Sequence, residues 1–166
     1  SSIHYILDLL PESHLLQALE MQTNIGETVL HIAADLGHSE SLKEILALFP
    51  ESQRLRVLSL QTEDGNTVLH CAAESEHAIQ VIMDLLPGHQ RLQLVCIGDF
   101  VGETVLHYAA NLDHFQSVCH ILEALPETQR WQVVKLQDED GRTCLNLVQD
   151  EEALRRIMEL LGPQEI

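Results

Sequence analysis

One thirteen-residue pattern occurs three times in this 166-residue chain and constrains its fold more than any other feature. The copies read GETVLHIAADLGH from Gly26, GNTVLHCAAESEH from Gly65 and GETVLHYAANLDH from Gly102, and a shortened copy, GRTCLNLVQ, starts at Gly141. Successive glycines lie 39, 37 and 39 residues apart. Such a period is typical of helical solenoids, in which each unit buries its apolar faces only against its neighbours. A catalytic or metal site usually occurs once, so the repetition favours a scaffold.

A proline marks a second fixed point in each unit. The four prolines that stand 15 residues before the next glycine are Pro11, Pro50, Pro87 and Pro126. All variation in unit length therefore lies between glycine and proline. The middle unit is two residues shorter there, and the sequence places this deletion just after His77.

Each unit predicts three helices. The threonine two residues after the glycine is expected to be the N-cap of the first helix, with the histidine of TVLH at N3, from where it can reach the cap or the neighbouring unit. Apolar residues at helical spacing, such as Leu42, Ile45 and Leu46, predict the second helix. The proline is expected at N1 of a short third helix, as in PESQRLRVL. An extended finger then turns at the next glycine.

At this point the unit resembles the ankyrin repeat. The family hallmark D-x-x-G-x-T-P-L-H-x-A-A-x-x-G-H is matched at Asp99, Gly102, Thr104, Leu106, His107, Ala109, Ala110 and His114. Valine replaces the family's proline, and the QRL segment makes the units longer than usual. The resemblance implies an all-α solenoid of stacked units with short finger turns.

The resemblance covers the whole chain as a single array over 1–166. We predict a partial unit at 1–22, full units at 23–61, 62–98 and 99–137, and a degenerate capping unit at 138–166. Because the sequence begins in the middle of a unit, we expect it to be part of a longer protein. The long unit is also similar to ankyrin-repeat proteins of intracellular bacteria, some of which are delivered into host cells.

The charge balance narrows the class of partner. The chain has 9 Lys and Arg against 26 Asp and Glu, a formal net charge of -17. This charge disfavours binding to nucleic acid or anionic membranes, both of which require positive charge. No transmembrane run or signal peptide is evident, and the four cysteines have no metal spacing. We therefore expect a soluble, monomeric, intracellular protein with a protein partner that carries a basic surface.

Chemistry within the repeat is disfavoured. One row of histidines, His31, His70 and His107, and another, His38, His77 and His114, would stack about 10 Å apart, too far to share a metal ion. Cys119 followed by His120 is interpreted as a core cysteine beside an exposed histidine. The sequence predicts no enzyme activity, no metal and no cofactor.

The family resemblance implies where a partner binds: at the finger tips and on the exposed side of the first helices. The matching tip positions are Asn24, Ile25, Glu27, Glu63, Asp64, Asn66, Phe100, Val101, Glu103, Glu139, Asp140 and Arg142. Those assigned to the first helices are Asp35, Leu36, Glu74, Ser75, Asn111 and Leu112.

Ile25, Phe100 and Val101 stand where the other fingers have acids, and a turn does not need them. They are predicted to be apolar anchors for a partner, the alternative being that Phe100 packs on the neighbouring finger. The leading hypothesis is a protein-interaction module, the target-binding part of an effector. An accessory or regulatory domain of a larger enzyme and a metal or redox role are the alternatives.

Overall fold

The computed structural model describes residues 12–163, in which every regular element is a helix. Helix α1 (Glu12–Leu19) is followed by α2 (Val29–Asp35), α3 (Ser39–Ala47), α4 (Glu51–Leu58), α5 (Val68–Cys71), α6 (Glu76–Leu85), α7 (Gly88–Val95), α8 (Val105–Asn111), α9 (Phe115–Glu123), α10 (Glu127–Val134), α11 (Cys144–Leu147) and α12 (Glu151–Leu161). The predicted all-α solenoid with three helices in each full unit is confirmed. Pro11 and the first half of the predicted partial unit lie outside the described residues, and the unit boundaries stay predictions.

Helices of the same kind stack in rows. The first helices α2, α5, α8 and α11 pack in series, as do the second helices α3, α6, α9 and α12, and the third helices α4, α7 and α10 form an outer row. Small residues such as Ala72 and Ala109, both fully buried, let the first helices approach closely. Large side chains such as Leu42, Ile82 and Ile121, which are all fully buried, fill the space between rows. Burial of these apolar stripes is the main stabilising term.

Two details of the sequence interpretation are wrong. Pro50, Pro87 and Pro126 are N-caps, not N1 residues, because each has an extended ψ near 145° (146, 142 and 147). The two-residue deletion precedes His77: α5 ends at Cys71, and Ser75 occupies the N-cap position of α6 that His38 occupies in α3. His77 is thus an exposed residue inside α6, and the second histidine row does not exist.

A row of arginines ties the outer helices to the second helices. Arg91 donates from Nε to the carbonyl of Met83 (2.9 Å) and from Nη1 to that of Ala124 in the next unit (3.1 Å). Arg54 and Arg130 make the same kind of bridge, to Leu85 and Leu160 respectively. Each guanidinium thereby binds carbonyl groups near the C-terminal ends of two successive second helices, where fewer backbone donors are available.

The last unit, predicted to be a capping unit, departs from the repeat. Asn146 replaces the histidine, and its Oδ1 accepts from the Thr143 amide at 2.8 Å, so the capping box is kept. Asparagine has no counterpart of the histidine Nε2 that binds a backbone carbonyl farther along the chain. Asp150 caps α12 through the amide of Glu152 (2.9 Å). Helix α12 exposes its charged residues and buries the stripe of Ala153, Ile157 and Leu161, and the assignment of this unit as a cap stays a prediction.

Candidate functional site

The fingers form a continuous edge along one side of the array. In each finger the first residue, a threonine or aspartate, accepts backbone amides through its side chain; Asp99 Oδ1, for example, accepts from Val101 and Glu103 (3.0 and 2.8 Å). Neighbouring fingers are joined by one backbone bond each. The bonds run from Glu63 N to Ile25 O (2.8 Å), Phe100 N to Asp64 O (3.1 Å) and Glu139 N to Val101 O (2.9 Å).

Glycine is required where the fingers meet. Gly65 has φ +88°, and a Cβ there would lie 2.6 Å from the amide nitrogen of Phe100. Gly102 has φ +82°, and its Cβ would lie 3.1 Å from Asp138 Cα. Both the backbone conformation and the close approach exclude a side chain, which explains the fixed glycine of the repeat.

The TVLH histidines connect each first helix to the next finger. In each full unit, Nδ1 accepts from the amide and hydroxyl of the capping threonine, and Nε2 donates to backbone carbonyls in the next finger or just before it. The Nε2 bonds are His31 to Leu60 and Asn66 (2.8 and 3.2 Å), His70 to Glu103 (2.8 Å) and His107 to Arg142 (2.8 Å). Because carbonyls only accept, each ring is the neutral tautomer with its proton on Nε2. The structural role predicted for these histidines is confirmed.

Burial also favours the neutral ring. It lowers the pKa of His31 and His70 below the usual 6.5, and this effect outweighs the carbonyl bonds, which raise the pKa. The nitrogens are thus occupied by backbone partners. Within residues 12–163 no group of three or more His, Cys, Asp or Glu side chains could hold a metal ion.

Most of the predicted binding residues are exposed. The exposed ones are Asn24, Ile25, Asp35, Leu36, Glu63, Asp64, Glu74, Phe100, Val101, Asn111, Leu112, Glu139, Asp140 and Arg142, and the partly buried ones are Glu27, Asn66, Ser75 and Glu103. Glu74 and Ser75 were wrongly assigned to a first helix. Glu74 lies in the turn after α5, and Ser75 Oγ accepts from the Ala78 amide (3.2 Å) as the α6 cap.

The structure brings part of this set together in a groove. Two cavities of about 180 and 190 Å³ share Asp35, Asn66 and Cys71, so they adjoin. The predicted residues that line them are Ile25, Glu27, Asp35, Glu63, Asp64, Asn66, Glu74 and Leu112. Five of these are carboxylates, and no lysine or arginine lines either cavity. We call this surface the acidic groove.

Tyr108 forms the far wall of the acidic groove, and the sequence interpretation missed it. Its hydroxyl lies 2.5 Å from Asn66 Oδ1 and 2.6 Å from Asp99 Oδ2, joining two fingers, and its ring meets His70 edge-on with centroids 4.9 Å apart. Burial, and then the bond to Asp99, raise the pKa of the phenol. The role of the QRL arginines was missed as well, although their recurrence four residues after Pro50, Pro87 and Pro126 was a visible signal.

The fourth finger lies outside the acidic groove. Arg142 pairs with Asp138 (2.9 Å) and lies near Asp140 and Glu103 (3.5 and 3.6 Å), so its charge is already balanced by finger carboxylates. Burial, followed by Asp99, raises the pKa of Glu103. Glu139 and Asp140 extend the acidic edge toward the C-terminal end.

The anchor residues at the tips are apolar and accessible. Phe100, Val101 and Ile25 are 67 %, 42 % and 46 % exposed. The Phe100 ring lies directly over Gly65 of the preceding finger, which fits the alternative that it packs there, yet two-thirds of it faces solvent. One edge of the Phe100 ring is therefore held against Gly65, and the rest of its apolar surface is free to contact a partner.

The cysteines are poorly suited to nucleophilic chemistry. All four are free thiols. Burial raises the pKa of Cys71 and Cys144 to about 12, and it raises the pKa of Cys96 and Cys119 as well. Since the thiolate is the reactive form, these groups are held in the unreactive one.

Comparison with known proteins agrees with the repeat geometry. A family model described as ankyrin repeats (3 copies) matches residues 5–90. The chain belongs to the ankyrin-repeat family. Beyond the match, α8 to α11 of this ankyrin array repeat the same capping box and finger bonds. A comparison with curated proteins gives no match.

Ankyrin repeats are protein–protein interaction modules and are typically non-catalytic. No helix among the described residues of this ankyrin chain is long and apolar enough to cross a membrane.

Proposed function

We propose that this ankyrin array recognises a protein or peptide with basic and apolar features, through the acidic groove and the finger tips. The observation that carries the proposal is the set of five carboxylates around one groove with no cation among the lining residues. Carboxylates of one sign in a concave surface raise the local concentration of a positively charged partner and increase its association rate.

The apolar tips supply a second kind of contact. Ile25 lines the acidic groove directly, and Phe100 and Val101 extend the surface along the finger edge. Exposed aromatic and aliphatic residues with acids around them resemble the centre and rim of a protein interface, in which a few apolar anchors contribute most of the binding energy. In this proposal the apolar tips supply most of the binding energy, and the acidic groove selects partners with a basic surface.

The setting of this activity is part of the same proposal. We infer that the array acts inside a cell as a monomer and selects the target of a larger protein. The long unit is similar to the repeats of ankyrin-repeat proteins from intracellular bacteria, and this similarity supports an effector role. In that role the array is delivered into a host cell, where its partner is a host protein.

Affinity capture from animal-cell lysate with mass spectrometry tests this function. The chain is compared with the groove variant Asp35→Lys/Asp64→Lys and with Glu127→Lys/Glu159→Lys, which makes the same charge change on exposed helix positions elsewhere. We expect basic proteins to be captured by the chain and by the control, and lost by the groove variant. Equal capture by all three would show that the groove is not the binding surface.

The tips are tested separately with Phe100→Asp/Val101→Asp. Asp64 and Asp140 occupy the position of Val101, and Glu63 and Glu139 occupy that of Phe100, so the fingers accommodate carboxylates at both positions. A partner that is retained by this variant with unchanged affinity would remove the tips from the site. The far-ultraviolet circular dichroism and unfolding curve of each variant establish that the fold is intact.

A further inference from the structure

A cavity of about 410 Å³ lies at the C-terminal end of the array, away from the acidic groove. It exists because the two first helices that pack there differ in length. Helix α8 continues to Asn111, but α11 stops at Leu147, since Val148 adopts an extended ψ of 120°. The missing second turn of α11 leaves a space beside the α8–α9 turn.

The cavity combines an apolar floor with a charged rim. The floor is formed by Ala110, Phe115, Val148 and Ala153, and the rim carries Asp113 and Asp150. Lysine, arginine and histidine do not occur among the lining residues. Within residues 12–163 neither rim carboxylate is part of an ion pair. The rim thus carries two carboxylates that are not paired with a cationic side chain of the described chain.

Asp113 lies in the turn before α9. Its φ is +60°, the only positive φ of a non-glycine residue in the described part of the chain. The equivalent position before α3 is Gly37, with φ +68°. Aspartate and asparagine are among the few non-glycine residues that adopt this conformation readily. The turn therefore accepts a carboxylate, although glycine meets the same backbone requirement in the first unit.

The carboxylate oxygens remain available. Asp150 uses Oδ1 to cap α12 at the amide of Glu152 (2.9 Å), which leaves Oδ2 free. No residue of the described chain donates a hydrogen bond to the Asp113 side chain. Asp113 and Asp150 stand at the N-termini of α9 and α12, whose partial positive charge offsets part of theirs.

We propose that this cavity binds a lysine or arginine side chain presented by a partner protein. The alkyl stem would pack on Ala110, Phe115 and Ala153, and its cation would lie between the two carboxylates, the arrangement in which long basic side chains bury their stems. The site is separate from the acidic groove, and its test does not depend on that groove.

Side-chain analogues provide a direct test. The methyl groups of Ala110, Val148 and Ala153 are followed by NMR while n-butylammonium, n-propylguanidinium or n-butanol is added. We expect both cations to shift these methyls saturably, the tighter one identifying the preferred side chain, and butanol to bind more weakly. Asp113→Asn should weaken cation binding about threefold. Glu159→Gln removes an equal charge from the exposed side of α12 and should have no effect.

Three outcomes would overturn the site: no saturable shift, equal binding of butanol and the cations, or unchanged cation affinity in Asp113→Asn. Asparagine tolerates positive φ, so this variant is expected to fold. Asp113→Gly, which matches the turn at Gly37, provides a second removal of the carboxylate and must give the same weakening.

Discussion

The TVLH histidine is the residue on which local capping and unit stacking both depend. His70 accepts from Thr67 N (3.0 Å) through Nδ1 and donates to Glu103 O (2.8 Å) through Nε2, and it is 3 % exposed. A single ring thus satisfies backbone groups of two units. No other amino acid offers an acceptor and a donor on opposite sides of a small rigid ring.

Removal of this ring should be costly. We expect His70→Ala to lower the free energy of unfolding by about 3 kcal/mol, because buried partners lose their bonds and a helix loses its cap. His70→Gln should lose less, since glutamine at N3 can still cap. His77→Ala, at an exposed position of α6, is the control. Urea unfolding measures all three, and similar losses for His70→Ala and His77→Ala would contradict the role.

The same histidines predict a pH dependence. The folded state holds the pKa of His31 and His70 below the unfolded value of 6.5, so below that pH the unfolded chain binds protons that the folded chain does not. The free energy of unfolding should therefore fall as the pH decreases from 7.5 to about 5.5. His70→Gln should show a shallower slope over this window. A slope identical to that of the unchanged protein would exclude His70 as a contributor.

At the scale of the element, the finger is defined by its glycine. Gly102→Val should lower the free energy of unfolding by more than about 1 kcal/mol, because a β-branched residue resists positive φ and its Cβ would crowd the next finger. Gly88→Ala is the matched control: no atom lies within 4 Å of its Cβ position, at the start of α7. Thermal unfolding compares them, and an unchanged melting temperature for Gly102→Val would refute the finger geometry.

The outer helix depends on its arginine. Arg91→Met keeps the alkyl stem but removes the bonds to Met83 and Ala124 carbonyls. We expect a loss of about 2 kcal/mol in the free energy of unfolding. Arg155→Met removes an exposed arginine that pairs only with Glu152, and should cost under about 0.5 kcal/mol. Equal effects of the two substitutions would indicate that the Arg91 bonds contribute nothing.

For the whole molecule, the net charge of -17 opposes the compact state through self-repulsion. Salt screens exposed charges, so the melting temperature should rise between 20 and about 300 mM NaCl, most steeply at low concentration. Sucrose at matched osmolarity is a control for effects other than screening. A melting temperature that falls with salt would mean that attractive ion pairs dominate over repulsion.

The repeat, the threonine caps, the buried helix stripes and the finger glycines could all be predicted from the sequence, because each depends on residues within about one helical turn or on strict periodicity. The position of the middle unit's deletion could not. The spacing of His77 matched the other units, but the structure shows that Ser75, which can cap α6, takes the place of His38.

Only the tertiary structure decided the contacts between residues 30 to 42 positions apart. Arg91 reaches Ala124, Tyr108 reaches Asn66, and the acidic groove assembles from fingers and first helices of successive units. The cavity beside Asp113 likewise follows from the unequal lengths of α8 and α11. A sequence encodes such contacts only through the rise and rotation between stacked units, and that geometry is set by packing of the rows against one another.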